Sequence, residues 1–176
     1  MNGSDSILRP MIGPGVYLSP TAYVGGDVTL GEACSVWHQV TIRGDVGAIR
    51  IGKRVNIQDG CILHTETDVD LEIGDDVAIG HRAVVHCRCV GAGSLIGIGS
   101  ILLDGVVVGA GCIVAAGAVV PPGMTLPDRT VVMGVPARIV REVSDAERAY
   151  HREVVDRYVA LARQHTAGHY PNTAST

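Results

Sequence analysis

An aliphatic residue recurs every six positions through most of this chain, with a small residue four places after it and often a glycine directly after it. From Val90 to Val132 the spacing is unbroken, and the same rhythm runs through earlier blocks that begin at Val24, Ile51 and Ile73. A short fixed period is typical of a solenoid, in which each repeat buries its apolar residue against its neighbours. The 23 Gly and 8 Pro residues would break helices of this period, whereas β-branched residues between glycine turns favour short strands. The pattern predicts an all-β solenoid, a parallel β-helix with three hexapeptides in each triangular coil.

Two repeats are longer than six residues. The repeat that begins at Ile42 runs for nine residues before Ile51, and the one that begins at Leu63 runs for ten residues before Ile73. Insertions into a solenoid are commonly extruded as loops on the functional face. We therefore expect a loop at each place, the second of them acidic and centred on residues 65–72.

The repeat also predicts which side chains lie in one column along the coils. Residues at the second position of stacked repeats form a first column, which contains Arg43, His64 and His86. Residues at the third position form a second column, which contains His38, Asp59 and His81. His64 and His86 are expected one coil apart, near enough to bind one metal ion through bonds of about 2.0–2.1 Å. His81 lies at or around a corner from them, so it is not expected to reach the same ion within one chain, although it could reach an ion held by a neighbouring chain.

The five cysteines divide into two groups. Four occupy the fifth, inward position of a hexapeptide and are predicted to be small buried residues: Cys34, Cys61, Cys89 and Cys112. Cys87 stands at a third position beside His86, in a repeat that is one residue short. The odd count and the absence of a Cys-x-x-Cys pair argue against a disulfide framework and a structural zinc site.

Three further residues of the early coils suggest contacts between subunits. Trp37, the one tryptophan, occupies an outward position, where a large aromatic side chain is more typical of a subunit contact than of a ligand site. Arg43 and Asp45 are two apart on a predicted strand and point the same way. They are expected to pair with groups on another subunit or, failing that, to form an ordinary surface ion pair.

The repeat stops after Arg138, and Ser144-Asp145-Ala146-Glu147 reads as a helix capping box. The following helix, about residues 145–165, places Tyr150, Val154, Tyr158 and Leu161 on one stripe, which suits a helix packed on the solenoid. The histidines of this segment are expected to face solvent: His151, His165 and His169. The chain is thus divided into a β-helix domain at 1–140, a C-terminal helical segment at 141–168 and a flexible tail at 169–176.

Composition narrows the classes of function. The net charge is −4, aromatic residues make up 3% of the chain, and there is no Phe. Nucleic-acid binding is not expected, because neither a basic patch for phosphates nor aromatic platforms for bases is visible. The N-terminus has no apolar core of signal-peptide length, and no apolar run approaches the about 18 residues of a membrane span. We therefore expect a cytoplasmic protein.

Taken together, these motifs resemble the γ-class carbonic anhydrase family over residues 12 to about 142. The residues that carry the resemblance are Trp37, Arg43-Gly44-Asp45, Ile57-Gln58-Asp59, His64, Gly80-His81, His86, Ile96-Gly97-Ile98-Gly99 and Gly134-Val135-Pro136-Ala137. The resemblance implies a left-handed β-helix, an exception to the usual right-handed crossover. It also implies a homotrimer with a metal ion at each subunit interface, bound by His64 and His86 of one chain and His81 of the next.

The activity that the resemblance implies is the reversible hydration of CO2 to bicarbonate by a metal-bound hydroxide. Three imidazole ligands leave an open position on Zn2+, as in catalytic zinc sites, and they also suit Fe2+ or Co2+. Gln58 matches the glutamine that orients the metal-bound water, and Asp59 matches the acid beside it. Arg43 and Asp45 match the pair that organises the trimer interface near the metal.

The chain departs from the family pattern in two places. The founding type of the family has a long acidic loop with a glutamate that shuttles protons, whereas the loop here is a four-residue extension with Glu66 and Asp68 as the candidates. Asp104 stands where some relatives have asparagine near the bicarbonate site. Both differences leave the metal ligands intact, but fast proton transfer does not follow from the resemblance.

Three other functions fit the same solenoid. A thioesterase would use the same metal site on an acyl-CoA, and a non-catalytic trimeric scaffold would use the metal only to join subunits. A hexapeptide acyltransferase would use one histidine as a general base, but that function does not explain three histidines at these positions.

Overall fold

The computed structural model of the protein describes residues 7–171, which form a parallel β-solenoid of short strands followed by one α-helix. The solenoid has three sides, as the hexapeptide pattern predicts, and it is the left-handed β-helix that the family resemblance implies. Most strands are two residues long because each side of the coil contains one hexapeptide, of which the remaining residues form the turn to the next side.

The strands of each side stack along the solenoid axis. The first side contains β7 (Ile62–Leu63), β10 (Val84–Val85), β13 (Ile101–Leu102), β16 (Val119–Val120) and the start of β5 (Thr41–Ile51). The second side contains β1 (Met11–Ile12), the end of β3 (Tyr23–Leu30), the end of β5, β8 (Leu71–Ile73), β11 (Cys89–Val90), β14 (Val107–Val108) and β17 (Thr125–Leu126). The third side contains β2 (Tyr17–Leu18), β4 (Ser35–Val36), β6 (Asn56–Ile57), β9 (Ala78–Ile79), β12 (Leu95–Ile96), β15 (Ile113–Val114), β18 (Thr130–Gly134) and the antiparallel β19 (Ala137–Glu142).

The register between coils confirms three hexapeptides per turn. In the regular part of the solenoid, paired residues such as Ile101 and Val119 are eighteen positions apart. Across the acidic insertion, Leu63 pairs with Val85, so the four extra residues leave the strand register unchanged. Columns of equivalent residues therefore continue through the insertion, and this continuity places the functional side chains.

The two insertions have different structures. The acidic one forms the expected loop, which is closed by a hydrogen bond from Thr65 Oγ1 to the Val69 carbonyl oxygen at 2.6 Å. The prediction of a loop after Ile42 is wrong, because β5 stays extended for 11 residues and turns the corner from the first side to the second. The neighbouring β3 is also long and pairs with both ends of β5, which supplies the hydrogen-bond partners that a loop would lack.

The core is a column of aliphatic residues inside the triangular coil. The residues at the first position of each repeat are fully buried from Leu30 to Val132, as the period predicts. Cys34, Cys61 and Cys112 are buried as expected, but Cys89 is half-buried and Cys87 takes the inward position instead. The short repeat explains this error, because one missing residue moves Cys87 into the interior. Burial raises the pKa of the Cys87 thiol to about 12, so it is not a reactive group of the site.

The helix α1 (Asp145–Thr166) lies along the third side and contacts β2, β4, β6 and β9. It begins with the predicted capping box, in which Ser144 Oγ accepts from the Glu147 amide and Glu147 accepts from the Ser144 amide. Trp37 lies beneath the helix, 6% exposed, with its ring centroid 5.5 Å from that of Tyr158. The predicted subunit contact at Trp37 is therefore wrong, because the chain's own helix covers this outward position.

The buried face of α1 differs in part from the predicted stripe. Val154 is buried as expected, whereas Tyr150 is exposed and Val155 is buried. His151 was expected at the surface but is 5% exposed, with its Nε2 2.8 Å from the Asp76 carbonyl oxygen.

Among residues 7–171, no helix has both the length and the hydropathy of a membrane span. Most of the predicted flexible tail, residues 172–176, lies outside the described residues.

Candidate metal centre

Two of the predicted metal ligands lie side by side on the first side of the solenoid. His64 follows β7 and His86 follows β10, and the pairing of Leu63 with Val85 places the two rings one coil apart. His64 Nδ1 lies 3.2 Å from His86 Nε2, and the ring centroids are 5.2 Å apart. The column deduced from the repeat therefore brings these two imidazoles together.

Each ring of the pair contacts a carboxylate through its other nitrogen. His64 Nε2 lies 3.2 Å from Asp45 Oδ1, and His86 Nδ1 lies 2.5 Å from Asp104 Oδ1. Arg43 forms an ion pair with Asp45 at 2.5 Å, so the two residues that were expected to point the same way do so and contact each other. The hydrogen bond from Arg43, and more weakly that from His64, lowers the pKa of Asp45 below its ordinary value. Asp45 is thus held as the anion beside His64.

The carboxylates determine which ring nitrogens are free to bind a cation. A carboxylate only accepts hydrogen bonds, so His64 carries its proton on Nε2 and His86 carries its proton on Nδ1. When both rings are neutral, the two nitrogens that face each other, His64 Nδ1 and His86 Nε2, both carry lone pairs, and a cation between them accepts both. Two ligands of a tetrahedral Zn2+ with bonds of about 2.0–2.1 Å lie about 3.3 Å apart. The observed 3.2 Å therefore fits a shared divalent metal ion.

The third histidine lies at the opposite end of the first side. His81 is in the turn between β9 and β10, and its Nδ1 lies 2.9 Å from Asp59 Oδ2, its neighbour in the second column. Within residues 7–171, no group of three or more His, Cys, Asp or Glu side chains is close enough to hold a metal ion. The structure therefore does not bring His81 to the pair formed by His64 and His86 within one chain.

Gln58 is adjacent to Asp59 but is oriented towards the third side. Its amide nitrogen donates to Asn56 Oδ1 at 3.0 Å, and both side chains are buried. It also lines a groove of about 380 Å³ between α1 and the solenoid, together with Tyr150 and Tyr158. In the chain as described, Gln58 contacts neither of the paired histidines, so its predicted role at the metal stays a prediction.

The candidate proton-shuttle residues line a separate cavity. Glu66 and Asp68 border a wide cavity of about 850 Å³ on the outside of the second side, with Arg88 and Cys89. The loop is held by the Asp68 amide, which donates to the Val46 carbonyl oxygen at 2.8 Å. The described hydrogen bonds of neither carboxylate reach a histidine, so their role in proton transfer stays a prediction.

The sequence-based prediction gave Asn56 no role, and it named Asp104 only as a residue near the bicarbonate site, without its contact to a histidine. Asp104 contacts His86 from the next coil, and Asn56 positions the Gln58 amide. A signal for both was available in the register: Asp104 comes two residues after β13, the strand that pairs with the strand before His86, and Asn56, in β6, is two residues before Gln58. An acidic residue next to a ligand column is a candidate partner for a metal-bound histidine.

Comparison with known proteins identifies the family of the chain. A protein of Methanocaldococcus jannaschii described as a probable carbonic anhydrase is 44% identical over 86% of this chain and 96% of its own length. The mitochondrial gamma carbonic anhydrase 2 of Arabidopsis thaliana is 37% identical over 90% of this chain, which spans 59% of that longer protein. The chain belongs to the γ-class carbonic anhydrase family.

Two further similarities concern the solenoid of this γ-class family member. Residues 9–44 match the model of the bacterial transferase hexapeptide family (six repeats). A solved structure of a hexapeptide transferase family protein from Anaplasma phagocytophilum superposes with a TM-score of 0.84 at 32% identity, covering 89% of this chain and 92% of that one. Carbonic anhydrase relatives and hexapeptide transferases thus share the fold, so the activity of this chain must be argued from its histidines and their carboxylates.

Proposed function

We propose that this protein is a metal-dependent enzyme that hydrates CO2 reversibly to bicarbonate at the subunit interfaces of a homotrimer. The observation that carries the proposal is the pair of lone-pair nitrogens of His64 and His86, 3.2 Å apart, each fixed by a carboxylate on the far side of its ring. A general base for acyl transfer does not require two ring nitrogens that face each other, whereas a shared divalent cation uses both.

The metal would be held by His64 and His86 of one chain and by His81 of a neighbouring chain. Zn2+ is our first choice, and the imidazole set also suits Fe2+ and Co2+. When bound with an open position, such an ion lowers the pKa of water to about 7, which makes a nucleophile available at neutral pH. His81, like His64, has a carboxylate beside its ring: Asp59 Oδ2 lies 2.9 Å from His81 Nδ1.

An exposed apolar surface beside the pair supports the assembly. The outward residues of the first side are aliphatic and only partly covered, and Ile62, at 46% exposed, stands two residues before His64. Above it in the same column are Val84, Ile101 and Val119. A contiguous apolar strip is typical of a protein–protein contact. We take a second copy of the chain as its partner, because a neighbour there can place His81 opposite the pair.

The remaining residues act on the ligands or on the substrate. Asp45, held as an anion by Arg43, keeps the proton of His64 on the nitrogen that faces away from the metal. Gln58 would orient the attacking water with its carbonyl oxygen, since its amide nitrogen is already engaged by Asn56. No residue of this set is proposed to shuttle protons, so turnover would depend on buffer at low buffer concentration.

Elemental analysis and solution mass on one gently purified sample test the proposal. We expect one metal ion per chain in a trimer, and loss of both metal and CO2 hydration in His86→Ala, because a single remaining imidazole on the first side does not hold the ion. His38→Ala is the matched control, since His38 contacts Ser19 and Thr21 and none of the site residues. A monomer, or a His86→Ala variant with one metal per chain, would refute the proposal.

The same preparation separates the other functions. Release of CoA thiol from an acyl-CoA, with no CO2 hydration, would indicate a thioesterase on this metal site. Acetyl transfer that is insensitive to chelators would indicate an acyltransferase, and metal-dependent trimerisation without either activity would indicate a scaffold. Each result would replace CO2 hydration as the assigned activity.

A further inference from the structure

Asp104 lies at a rigid corner of the coil that follows His86. It comes two residues after β13, and its backbone carbonyl oxygen accepts the Gly123 amide at 2.8 Å. Gly105, the next residue, has a φ of +69°, a conformation that glycine adopts without strain and that fixes the turn. The corner therefore presents the carboxylate at a defined place beside the column of histidines.

The contact of Asp104 with His86 determines the chemical state of the ring. Asp104 Oδ1 lies 2.5 Å from His86 Nδ1, and a carboxylate only accepts, so the ring proton is on Nδ1. The lone pair is then on Nε2, the nitrogen that faces His64. Without this carboxylate, the neutral ring can carry its proton on Nε2, and that tautomer does not bind a cation there.

The direction of the contact distinguishes Asp104 from the other two carboxylates. Asp45 and Asp59 contact His64 and His81 from earlier coils, and the family resemblance accounts for both. Asp104 contacts its histidine from the following coil, so His86 is flanked by His64 on one side and by Asp104 on the other. The described side-chain hydrogen bonds of His86 are the ones to these two neighbours, and they restrict rotation of its ring.

We infer that Asp104 is a positioning residue for metal binding, which fixes the tautomer and orientation of His86. The inference rests on the proposed function in one respect, since it takes His86 as a metal ligand. Removal of a group that orients a ligand in this way typically weakens metal affinity by about 10–100-fold. We therefore expect Asp104→Ala to bind Zn2+ about 10–100-fold more weakly than the wild type.

The experiment measures Zn2+ affinity by competition with a chromogenic chelator, and the visible spectrum of the Co2+-loaded protein. Asp104→Asn keeps an acceptor oxygen without the charge, so its affinity is expected between those of the wild type and Asp104→Ala. Glu72→Ala is the control, because Glu72 is exposed on the second side and has no described hydrogen bond through its side chain. Its affinity and Co2+ spectrum should equal those of the wild type.

The outcomes distinguish this inference from the proposed function. If the wild type binds stoichiometric metal and Asp104→Ala binds it equally well with the same Co2+ spectrum, the inference is overturned and the proposed function stands. If the wild type binds no metal, the proposed function fails and the inference fails with it. If Asp104→Ala does not assemble with the mass of the wild type, Asp104→Asn decides: weaker binding at unchanged mass supports the inference, and unchanged affinity overturns it.

Discussion

The first and third sides of this solenoid have similar outward positions but different coverings. On the third side, α1 covers the outward residues, and Trp37 and Asn56 are buried beneath it. On the first side, no element within residues 7–171 covers the strip that contains Ile62 and Ile101, although the outward residues of this strip are aliphatic. The helix α1 covers only the third of the three sides. The histidine pair therefore lies on a side that no described element of the chain covers.

The largest effect is expected from a charge on the uncovered side. Ile101→Glu places a carboxylate between Val84 and Val119, where a neighbouring subunit would have to bury it without a partner, at a cost of several kcal/mol. We expect a monomer by light scattering and the loss of stoichiometric metal. The control is Thr125→Glu, an exposed position on the second side, which should keep the mass of the wild type. Unchanged mass in Ile101→Glu would show that the first side is not the subunit interface.

A smaller effect is expected from the covered side. Trp37→Ala leaves a cavity between α1 and the solenoid, and Trp-to-Ala changes in cores cost about 3–5 kcal/mol. Denaturant unfolding at fixed protein concentration measures this loss, with Tyr150→Ala, exposed on the same helix, as the control that should lose much less. Solution mass and metal content should stay unchanged. A trimer that dissociates in Trp37→Ala would mean that this side also contacts a subunit.

The smallest expected effect is a pH dependence of the stability of the protein, which arises from the buried His151 of α1. Burial lowers the pKa of His151 below its ordinary value of about 6.5, partly offset by the hydrogen bond to the Asp76 carbonyl oxygen. The unfolded chain therefore binds this proton more readily than the folded chain. The stability that the neutral ring contributes is fully present above about pH 6.5 and is lost as the pH falls through that value towards the lower pKa of the folded state.

Thermal unfolding between about pH 7.5 and about pH 5.5 measures this dependence. Over this range the melting temperature should fall further in the wild type than in His151→Gln. The Gln amide can donate to the same carbonyl oxygen but does not titrate. The cavity beside His151 is also lined by Arg54, Asp76, Arg148, Arg152 and Asp156. Parallel curves for the two proteins would contradict the prediction.

The relative positions of the three histidines could be predicted from the register alone. In a parallel solenoid the phase of each coil is fixed by the residue that points inward, so the alignment of Leu63 with Val85 could be predicted from spacing, and with it the neighbourhood of His64 and His86. The separation of His81 from this pair followed from the same count. These predictions succeeded because they depend only on local period and on strand pairing.

The errors came from contacts that a period does not encode. Trp37 and His151 are buried because α1 lies on the third side, and an amphipathic helix does not specify which of three similar sides it covers. Cys87 is buried and Cys89 is only half-buried, the reverse of the prediction, because the spacing shows that a repeat is short without showing which position is missing. The contact of Asp104 with His86 depends on the rotamers of two side chains in different coils, which the repeat leaves open.

The acidic loop leaves the solenoid after His64 and returns before Leu71 without moving the coil that carries His86. Its length and composition are therefore uncoupled from the distance between the two rings. A longer segment grafted between these points would add a mobile acid to the neighbourhood while the metal ligands keep their spacing. The solenoid therefore keeps the same separation of His64 and His86 whatever the length of the loop between these two points.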